Sequence, residues 1–549
     1  MHPSSRFHWW SSLIILALFG LLAAVLGGRR TGLAVLPRPA ADANVLRVAY
    51  TQDLLPDPHR QTVPFPSHNH FILSLWEPLV ECDPATGQPQ PAAAQSWTWS
   101  PDRLTLTLQL RADGRWSNGD QVTAQDFVRS WIRLLHQRIE LAQTLFALKN
   151  AEAFQKGEIE DPGLVGVHAV DDHTLRLDLG RIRSTMVAEL ADPMLSPLHA
   201  TSGPVLEELS YFHDPSRLVT NGPFRLVEAS IDGFRMAANR YYHGRDGIRL
   251  AGVQFVRART LELARLLLAA GVVDVVSPSG GDSGSPLPTD RPIRSVEELV
   301  LAVSSLDFNV TRGPLQDLRV RRALALALDR EGTIEKYAPG RLVPAWSWVP
   351  RMPGREGLTL LKEDADEARR LLAAAGYPGG KGFPVLTMAL SAKSSGDPFP
   401  VAWAESWYQQ LGVRTHISYE PDKLRARRMV TGDYDLIYGS LVATVPDAGD
   451  LMSGFAWPWE MSNTKWDDPG LKELFNEANT KTGDERLQVL ELAERRIMEA
   501  VPAVPVTFVR RQALLAAEVQ GWYEDPLGRQ SVKHLWLDPT AVPTRSPGT

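Results

Sequence analysis

Cysteine is almost missing from this chain, because Cys82 is the only one among 549 residues. A single cysteine excludes a disulfide within the chain. The sequence also argues against a lipoprotein-type attachment, since no cysteine directly follows the apolar N-terminal run. The patterns of zinc proteases, α/β-hydrolase elbows, phosphate-binding loops and dinucleotide-binding loops do not occur either. The sequence therefore predicts no enzyme, no cofactor and no metal site.

An excess of basic charge is also lacking. Lysine and arginine number 58 against 64 acidic residues, which gives a net charge of −6 and argues against a nucleic-acid partner. The pair of histidines in His68-Asn69-His70 has no acidic or cysteine neighbours, so we expect a surface or cleft-edge loop there and not a metal site. The chain is far longer than one hydrophobic core requires, and we expect two or three lobes.

A long apolar run occurs only near the N-terminus. It extends from about Trp9 to Leu26, follows Arg6 and His8, and is succeeded by Arg29-Arg30. Its length of roughly 18 residues lies between a signal-peptide core and a short membrane span. We predict export to the periplasm, with residues 1–43 forming a signal and linker that is either cleaved or retained as a membrane anchor.

The segment 109–131 couples a strand end, a turn and a helix. Leucines alternate with polar residues over 104–110, which is the period of a strand with one buried face. Residues 117–120, Ser-Asn-Gly-Asp, favour a tight turn. Thr123 and Asp126 then have the spacing of an N-terminal capping box. The residues alone predict a strand, a turn and a capped helix with buried aromatic side chains.

Other elements follow from the same patterns. Residues 45–50 read as a buried strand. Residues 317–330 form a predicted helix that Asp317 caps, with an apolar stripe at helical spacing. Further helices are predicted over 364–375, which ends at a Gly-Tyr-Pro stop, and over 485–500.

The sequence of residues 109–131, QLRADGRWSNGDQVTAQDFVRSW, resembles a segment of the extracytoplasmic solute-binding proteins of peptide and nickel ABC importers. Further motifs similar to that family occur in the same order at 76–80, 91–97, 220–226, 317–330 and 364–378. The resemblance covers nearly the whole chain after the N-terminal segment.

That family has an α/β fold of the periplasmic-binding-protein type II. The resemblance therefore implies two hinged α/β lobes with a third lobe inserted into the first. The implied bounds are 44–64, 201–300 and 516–540 for lobe I, 65–200 for the inserted lobe II, and 301–515 for lobe III.

The ligand segment of the family departs from its usual form here. In peptide binders of the family this segment supplies an aspartate that pairs with the α-ammonium of the ligand. Residues 439–448 read GSLVATVPDA, which places Leu441 at the usual tryptophan and Thr444 at the anchoring aspartate. Two interpretations stay open: Asp447 or the nearby Asp450 binds the ammonium, or the ligand lacks a free N-terminus.

The resemblance implies further ligand contacts. Thr51 and Gln52 follow the first strand and face the cleft by the geometry of the family, and Val442 lies within the ligand segment. Trp457 and Trp459 lie downstream of it, where aromatic rings suit core packing or stacking on a ligand. The predicted ligand-binding residues are Thr51, Gln52, Leu441, Val442, Thr444, Asp447 and Trp457.

The resemblance implies a binding function. We expect the substrate-binding component of an ABC importer, a monomer that binds peptides or peptide-like solutes between closing lobes. Its partners would be the permease and ATPase subunits at the inner membrane. The alternatives are a nickel-chelate or oligosaccharide binder of the same fold, and a membrane-anchored ligand sensor.

Overall fold

The computed structural model describes residues 39, 42–60, 66–83, 88–136, 140–205, 209–279, 287, 289, 291–352, 355–457, 463–523, 525 and 527–541. Most of the predicted signal or anchor, and Trp459, lie outside these residues. Within them, every helix is too short or too polar to cross a membrane.

The first half of the chain alternates strands and short helices. Its elements are β1 Val45–Tyr50, α1 Pro66–Leu75, β2 Val80–Cys82, β3 Pro89–Pro91, β4 Ala94–Trp99, β5 Thr105–Leu110, α2 Ala124–His136, α3 Ala151–Lys156, β6 Val167–Asp171, β7 Thr174–Asp178, α4 Met186–Glu189, α5 Leu209–Phe212, β8 Phe224–Ser230, β9 Gly233–Ala238, β10 Gly252–Arg257, α6 Leu261–Ala269 and β11 Val275–Ser279.

The second half contains two long strands with helical segments between them. Its elements are β12 Ile293–Phe308, α7 Leu318–Leu326, α8 Arg330–Tyr337, β13 Leu342–Pro344, α9 Ala365–Ala374, β14 Leu386–Ser391, α10 Phe399–Leu411, β15 Thr415–Glu420, α11 Asp422–Thr431, β16 Leu436–Val442, α12 Ser453–Ala456, α13 Pro469–Thr480, α14 Gly483–Ala500, β17 Ala503–Ala516, β18 Val519–Gln520 and β19 Trp536–Leu537.

The largest sheet in the described part of the chain has eleven strands, in the order β15-β14-β16-β12-β17-β11-β1-β10-β9-β8, with β13 beside β17. A separate antiparallel sheet, β4-β5-β7-β6, lies within residues 94–178. The long strands β12 and β17 occupy the middle of the large sheet and pair with each other along most of their length. They are therefore the connection between its two halves.

The buried apolar side chains separate into two main clusters. One takes its members from 46–276 and from 513–535. The other takes them from 301–508, together with Leu527. Buried residues of β17 belong to both clusters. Buried residues of β12 belong to the second cluster, and partly buried residues of β12 pack against the first. Each of the two strands therefore begins in one core and ends in the other.

The predicted strand, turn and helix of 104–131 are confirmed. Leu106 and Leu108 of β5 are fully buried, and α2 begins directly after Thr123. The Asp126 carboxylate accepts hydrogen bonds from the Thr123 backbone N–H (2.9 Å) and hydroxyl (3.1 Å), which is the carboxylate half of a capping box. The buried rings of Phe127 and Trp131 meet edge to face at 6.4 Å.

The motif at 220–226 joins the inserted segment to the large sheet. Asn221 Nδ2 donates to Glu77 O (2.8 Å), and Glu77 N donates back to Asn221 Oδ1 (3.0 Å). Gly222 lies against the main chain of Leu75, where a Cβ would come within 2.5 Å of a carbonyl carbon. A side chain at this position would therefore clash with the main chain of Leu75, so only glycine fits.

The predicted helix over 317–330 is wrong in its extent. Asp317 caps it as expected, accepting from Arg319 N (2.8 Å), but α7 ends at Leu326 and α8 begins at Arg330. The Ser406 hydroxyl, from α10, donates to Ala327 O (2.7 Å) and accepts from Asp329 N (3.0 Å). These bonds satisfy backbone groups that the interruption leaves without helical partners.

The predicted loop at 68–70 is also wrong, because these residues belong to α1 and are buried. His68 Nε2 lies 3.1 Å from Leu55 O, and His70 Nε2 lies 2.9 Å from Gln530 Oε1. Asn69 Nδ2 donates to Gly528 O (3.1 Å). The three polar side chains thus connect α1 to neighbouring loops. Burial lowers the pKa of both histidines to about 4.

Candidate ligand-binding cleft at the hinge

β12 and β17, which connect the two halves of the large sheet, have a break in their pairing register, and we call this break the hinge. Leu299 faces Arg510 on one side of the break and Val303 faces Phe508 on the other. Three residues of β12 are thus opposed by one residue of β17, which is a bulge that bends and twists a strand pair. The break lies where the two apolar cores meet.

Two predicted ligand segments leave the large sheet at this hinge. β1 runs parallel to β11, and β11 runs along β17 toward Gln512. Thr51 and Gln52, which follow β1, therefore lie at the hinge end of the first half of the sheet, and both are partly exposed. From the other half, β16 runs along β12 toward Ala302 and ends at Val442. The strand register thus brings both segments to the level of the break, with β12, β17 and β11 between them in the sheet.

One edge of β16 is open near the hinge. In the described part of the chain β14 pairs with β16 only at Leu436 and Ile437, whereas β12 pairs with it as far as Val442. Leu441 and Val442 are 42% and 39% exposed, which is unusual for apolar side chains of a central sheet. This open edge, residues 438–442, can accept an added strand through its main-chain groups.

Thr444, at the position of the family's anchoring aspartate, is held by Asp450. The Asp450 carboxylate accepts from Thr444 N (2.5 Å), from its hydroxyl (3.0 Å) and from Val445 N (3.3 Å). Burial raises the pKa of Asp450, and Arg183 opposes that shift. Asp450 thus serves as an internal cap of the loop 444–450.

Asp447, the other predicted ammonium partner, binds Arg486. Its Oδ1 accepts from Arg486 Nη2 (2.8 Å) and Gly449 N (2.8 Å), and its Oδ2 accepts from Arg486 Nε (2.8 Å). The Asp447 and Arg486 side chains are 17% and 11% exposed. This fork-like pair fixes the loop to α14, so an ammonium ligand would have to compete with a guanidinium for the same carboxylate.

Trp457, in predicted lobe III, is in contact with Arg181, in predicted lobe II. Its ring packs against Phe475 of α13 at 5.3 Å, and the guanidinium of Arg181 lies 5.5 Å from the ring centroid. Close by in sequence, Ser184 Oγ donates to Asn479 Oδ1 (3.3 Å). The structure thus places Trp457 in a contact between the segments predicted as lobes II and III.

Arg529 is a residue of this cleft that the sequence did not reveal. Its Nη2 donates both to Asp192 Oδ2 (2.8 Å), in predicted lobe II, and to Thr444 O (2.6 Å), in predicted lobe III. No motif covers Arg529, and its partners are 337 and 85 residues away along the chain. Only the folded chain brings these three groups together.

A buried carboxyl group lies beside the hinge. Glu298, immediately before the register break, is 2% exposed and accepts from Trp522 Nε1 (3.0 Å) and Gln530 Nε2 (2.6 Å). Burial raises its pKa to about 7, and the negative charge of Asp525 adds to that effect, while the facing Arg511 opposes it. The pKa of Glu298 is therefore raised because its carboxyl group is buried beside the hinge.

Within the described ranges, no group of three or more histidine, cysteine or acidic side chains is arranged to bind a metal ion.

The family to which the chain is similar can be identified from its sequence. Residues 88–463 match the bacterial extracellular solute-binding proteins, family 5, middle region. The chain belongs to this family. The family predicted from the motifs is thus confirmed.

Individual relatives support the same assignment. The chain is 26% identical over 466 residues to the periplasmic murein peptide-binding protein MppA of Escherichia coli, covering 82% of this chain and 85% of the relative. It is 25% identical over 471 residues to the dipeptide-binding protein DppE of Bacillus subtilis, covering 82% and 84%. Both relatives are binding proteins by name.

A solved structure confirms the fold class. The unliganded open form of the murein tripeptide-binding protein MppA superimposes with a TM-score of 0.76 at 25% identity, covering 92% of this chain and 98% of that one. The α/β periplasmic-binding-protein type II fold predicted from the sequence is therefore correct, and the bounds of the three lobes stay a prediction.

Proposed function

We propose that this chain is the substrate-binding component of an ABC importer and binds peptides or peptide-like solutes between its lobes. The observation that supports the proposal is the open edge of β16, which ends at the hinge, at the level of Thr51 and Gln52. An extended ligand can add to this edge through main-chain hydrogen bonds, which do not depend on its side chains. The names of the relatives, a murein peptide binder and a dipeptide binder, agree with such a ligand.

The roles of the predicted site residues follow from this placement. We assign ligand contacts to Thr51, Gln52, Leu441, Val442 and Thr444. Leu441 and Val442 would offer apolar surface beside the main chain of the ligand. The lobe bounds 44–64 with 201–300 and 516–540, 65–200, and 301–515 belong to the same proposal.

The remaining two predicted residues receive supporting roles. Asp447 holds the ligand loop to α14 through Arg486, and Trp457 contributes to the contact of lobe III with Arg181. Rotation about the hinge would make and break that contact, as in the closure of periplasmic binding proteins. A ligand that touches both lobes then shifts the population toward the closed form.

Binding and delivery, without bond making, are the activities that this site supports. The proposed partners are a permease and an ATPase, and the proposed active form is a monomer. Residues 1–43 would direct export to the periplasm, as a cleaved signal or a retained anchor.

The test is native mass spectrometry of the purified protein after incubation with a pool of random tetrapeptides. Bound masses that differ by residue increments are the expected result, and a variant with proline at Leu441 should retain far fewer of them. Proline there would obstruct the edge of β16. If the wild type retains no peptide from the pool, the peptide-binding proposal fails.

A further inference from the structure

The guanidinium of Arg529 occupies the junction of all three predicted lobes. Its side chain is only 9% exposed, and its Nη2 is shared between Asp192 Oδ2 and Thr444 O. Thr444 directly follows the open edge of β16, with one residue between it and Val442. A ligand strand added along that edge therefore ends within reach of Arg529.

One donor of this guanidinium is unused. Arg529 Nη1 is buried and has no hydrogen-bond partner among the described residues. Arg529 also lines a small pocket, together with Trp76, Glu77, Glu81, Tyr523 and Lys533. A buried donor without an acceptor is unfavourable, so a ligand oxygen that reaches Nη1 would gain a hydrogen bond that this donor lacks among the described residues.

The carboxylates around this junction are already bound. Asp192 accepts from Arg529 and from Met194 N (2.9 Å). Glu81 lies 2.6 Å from Lys533 Nζ, and Asp447 and Asp450 have the partners described above. Glu77 accepts from the Tyr242 hydroxyl and lies 2.9 Å from His243 Nε2. An α-ammonium group beside Arg529 would therefore meet a guanidinium, and each of the carboxylates named here already accepts from a donor of the protein.

We infer that Arg529 selects ligands whose end at Thr444 carries an oxygen acceptor, an acyl carbonyl or a carboxylate, in place of a free α-ammonium. This inference rests on the proposed function, because it assumes a peptide-like ligand on the edge of β16. A guanidinium binds carboxylates and carbonyls through fixed donors and repels an ammonium. Thr444 replaces the family's acidic anchor, and Arg529 offers an unused donor nearby. Together they would change the preferred ligand end from an ammonium to an oxygen acceptor.

The experiment compares three pools of random tetrapeptides: free, N-acetylated and N-succinylated. Each pool is offered to the full-length protein, and retained ligands are measured by native mass spectrometry and their affinities by titration calorimetry. We expect the acylated pools to bind about tenfold more tightly than the free pool, the size of one hydrogen bond to a charged group. A succinyl advantage over acetyl identifies a carboxylate as the selected group, and equal affinities identify the acyl carbonyl.

Variants connect the preference to the residue. Arg529→Gln should reduce the ratio between acylated and free pools to about threefold or less, because it removes the charge and the Nη1 donor. Arg496→Gln is the matched control, since Arg496 on α14 also binds an aspartate, Asp468 at 2.8 Å, but is half exposed. It should leave the ratio unchanged.

Each outcome separates the two proposals. Tighter binding of the free pool overturns the inference about Arg529 and leaves the peptide-binding function standing. An acyl preference that survives Arg529→Gln also overturns it. Retention of no pool at all overturns the peptide-binding function, and the inference fails with it.

Discussion

Replacing Glu298 by glutamine is expected to make the stability of the protein less dependent on pH. Glu298 lies beside the hinge, is almost fully buried, and has one carboxylate oxygen, Oε2, without a hydrogen-bond partner among the described residues. Burial keeps the proton on this group up to a pH of about 7, whereas the unfolded chain releases it near the ordinary value of 4.5. Glutamine imitates the protonated form at every pH.

The size of the effect follows from the difference in pKa. Between pH 4.5 and 7 the folded protein binds a proton that the unfolded chain has lost. The free energy of unfolding therefore falls as the pH rises through this window, by roughly 3 kcal/mol for a shift of this size. The stability that the protonated form contributes is fully present below pH 4.5 and is lost above pH 7. The Glu298→Gln variant avoids that loss.

The assay is urea unfolding followed by tryptophan fluorescence at intervals from pH 5 to pH 8. The difference in the free energy of unfolding between variant and wild type reports on Glu298 alone, because the other titrating groups are the same in both proteins. It should be small at pH 5 and should grow to about 2–3 kcal/mol in favour of the variant at pH 8. Glu297→Gln, which changes the more exposed neighbour paired with Arg510 at 3.2 Å, is the matched control for the loss of one carboxylate from β12. Parallel curves for wild type and Glu298→Gln would refute the reasoning.

Three further substitutions test the cleft and its support. Asp447→Ala should lower the free energy of unfolding by about 1–3 kcal/mol, because it leaves a mostly buried guanidinium without its partner; an unchanged value in urea unfolding would argue against that role. Gly222→Ala should lower the melting temperature strongly, since its Cβ meets main-chain atoms at 2.5 Å, whereas Gly247→Ala, with open space around it, should not; equal melting temperatures would contradict the packing argument. Trp457→Ala should expand the ligand-free protein in small-angle X-ray scattering by removing a contact between lobes, and an unchanged radius of gyration would exclude that role.

Local features of this fold could be predicted because they depend on residues a few positions apart. Thr123 and Asp126 predicted the start of α2, and Asp364 caps α9 through Glu367 N (2.9 Å) as expected. The break between α7 and α8 could not be predicted in this way. Its backbone groups are satisfied by Ser406, nearly eighty positions away, and nothing in the local sequence indicates that partner.

Some features of the candidate site could be predicted from the sequence, and others could not. The resemblance to a family located the segment around Thr444 and the position of its missing aspartate. It could not indicate that Asp447 binds Arg486, because that pair depends on how α14 packs against the loop. Arg529 was missed for the same reason, since it acquires its significance only from two partners on other lobes.

The two strands of the hinge also determine the order in which the molecule can be completed. β17 occupies the middle of the large sheet, yet it is made of residues 503–516, near the end of the chain. The small sheet within 94–178 has all its strands as soon as that stretch of the chain is available. A chain emerging from its N-terminus can thus assemble this sheet early, while β11 and β12 wait for a shared neighbour. The two halves of the large sheet are therefore joined only after residues 503–516 are available.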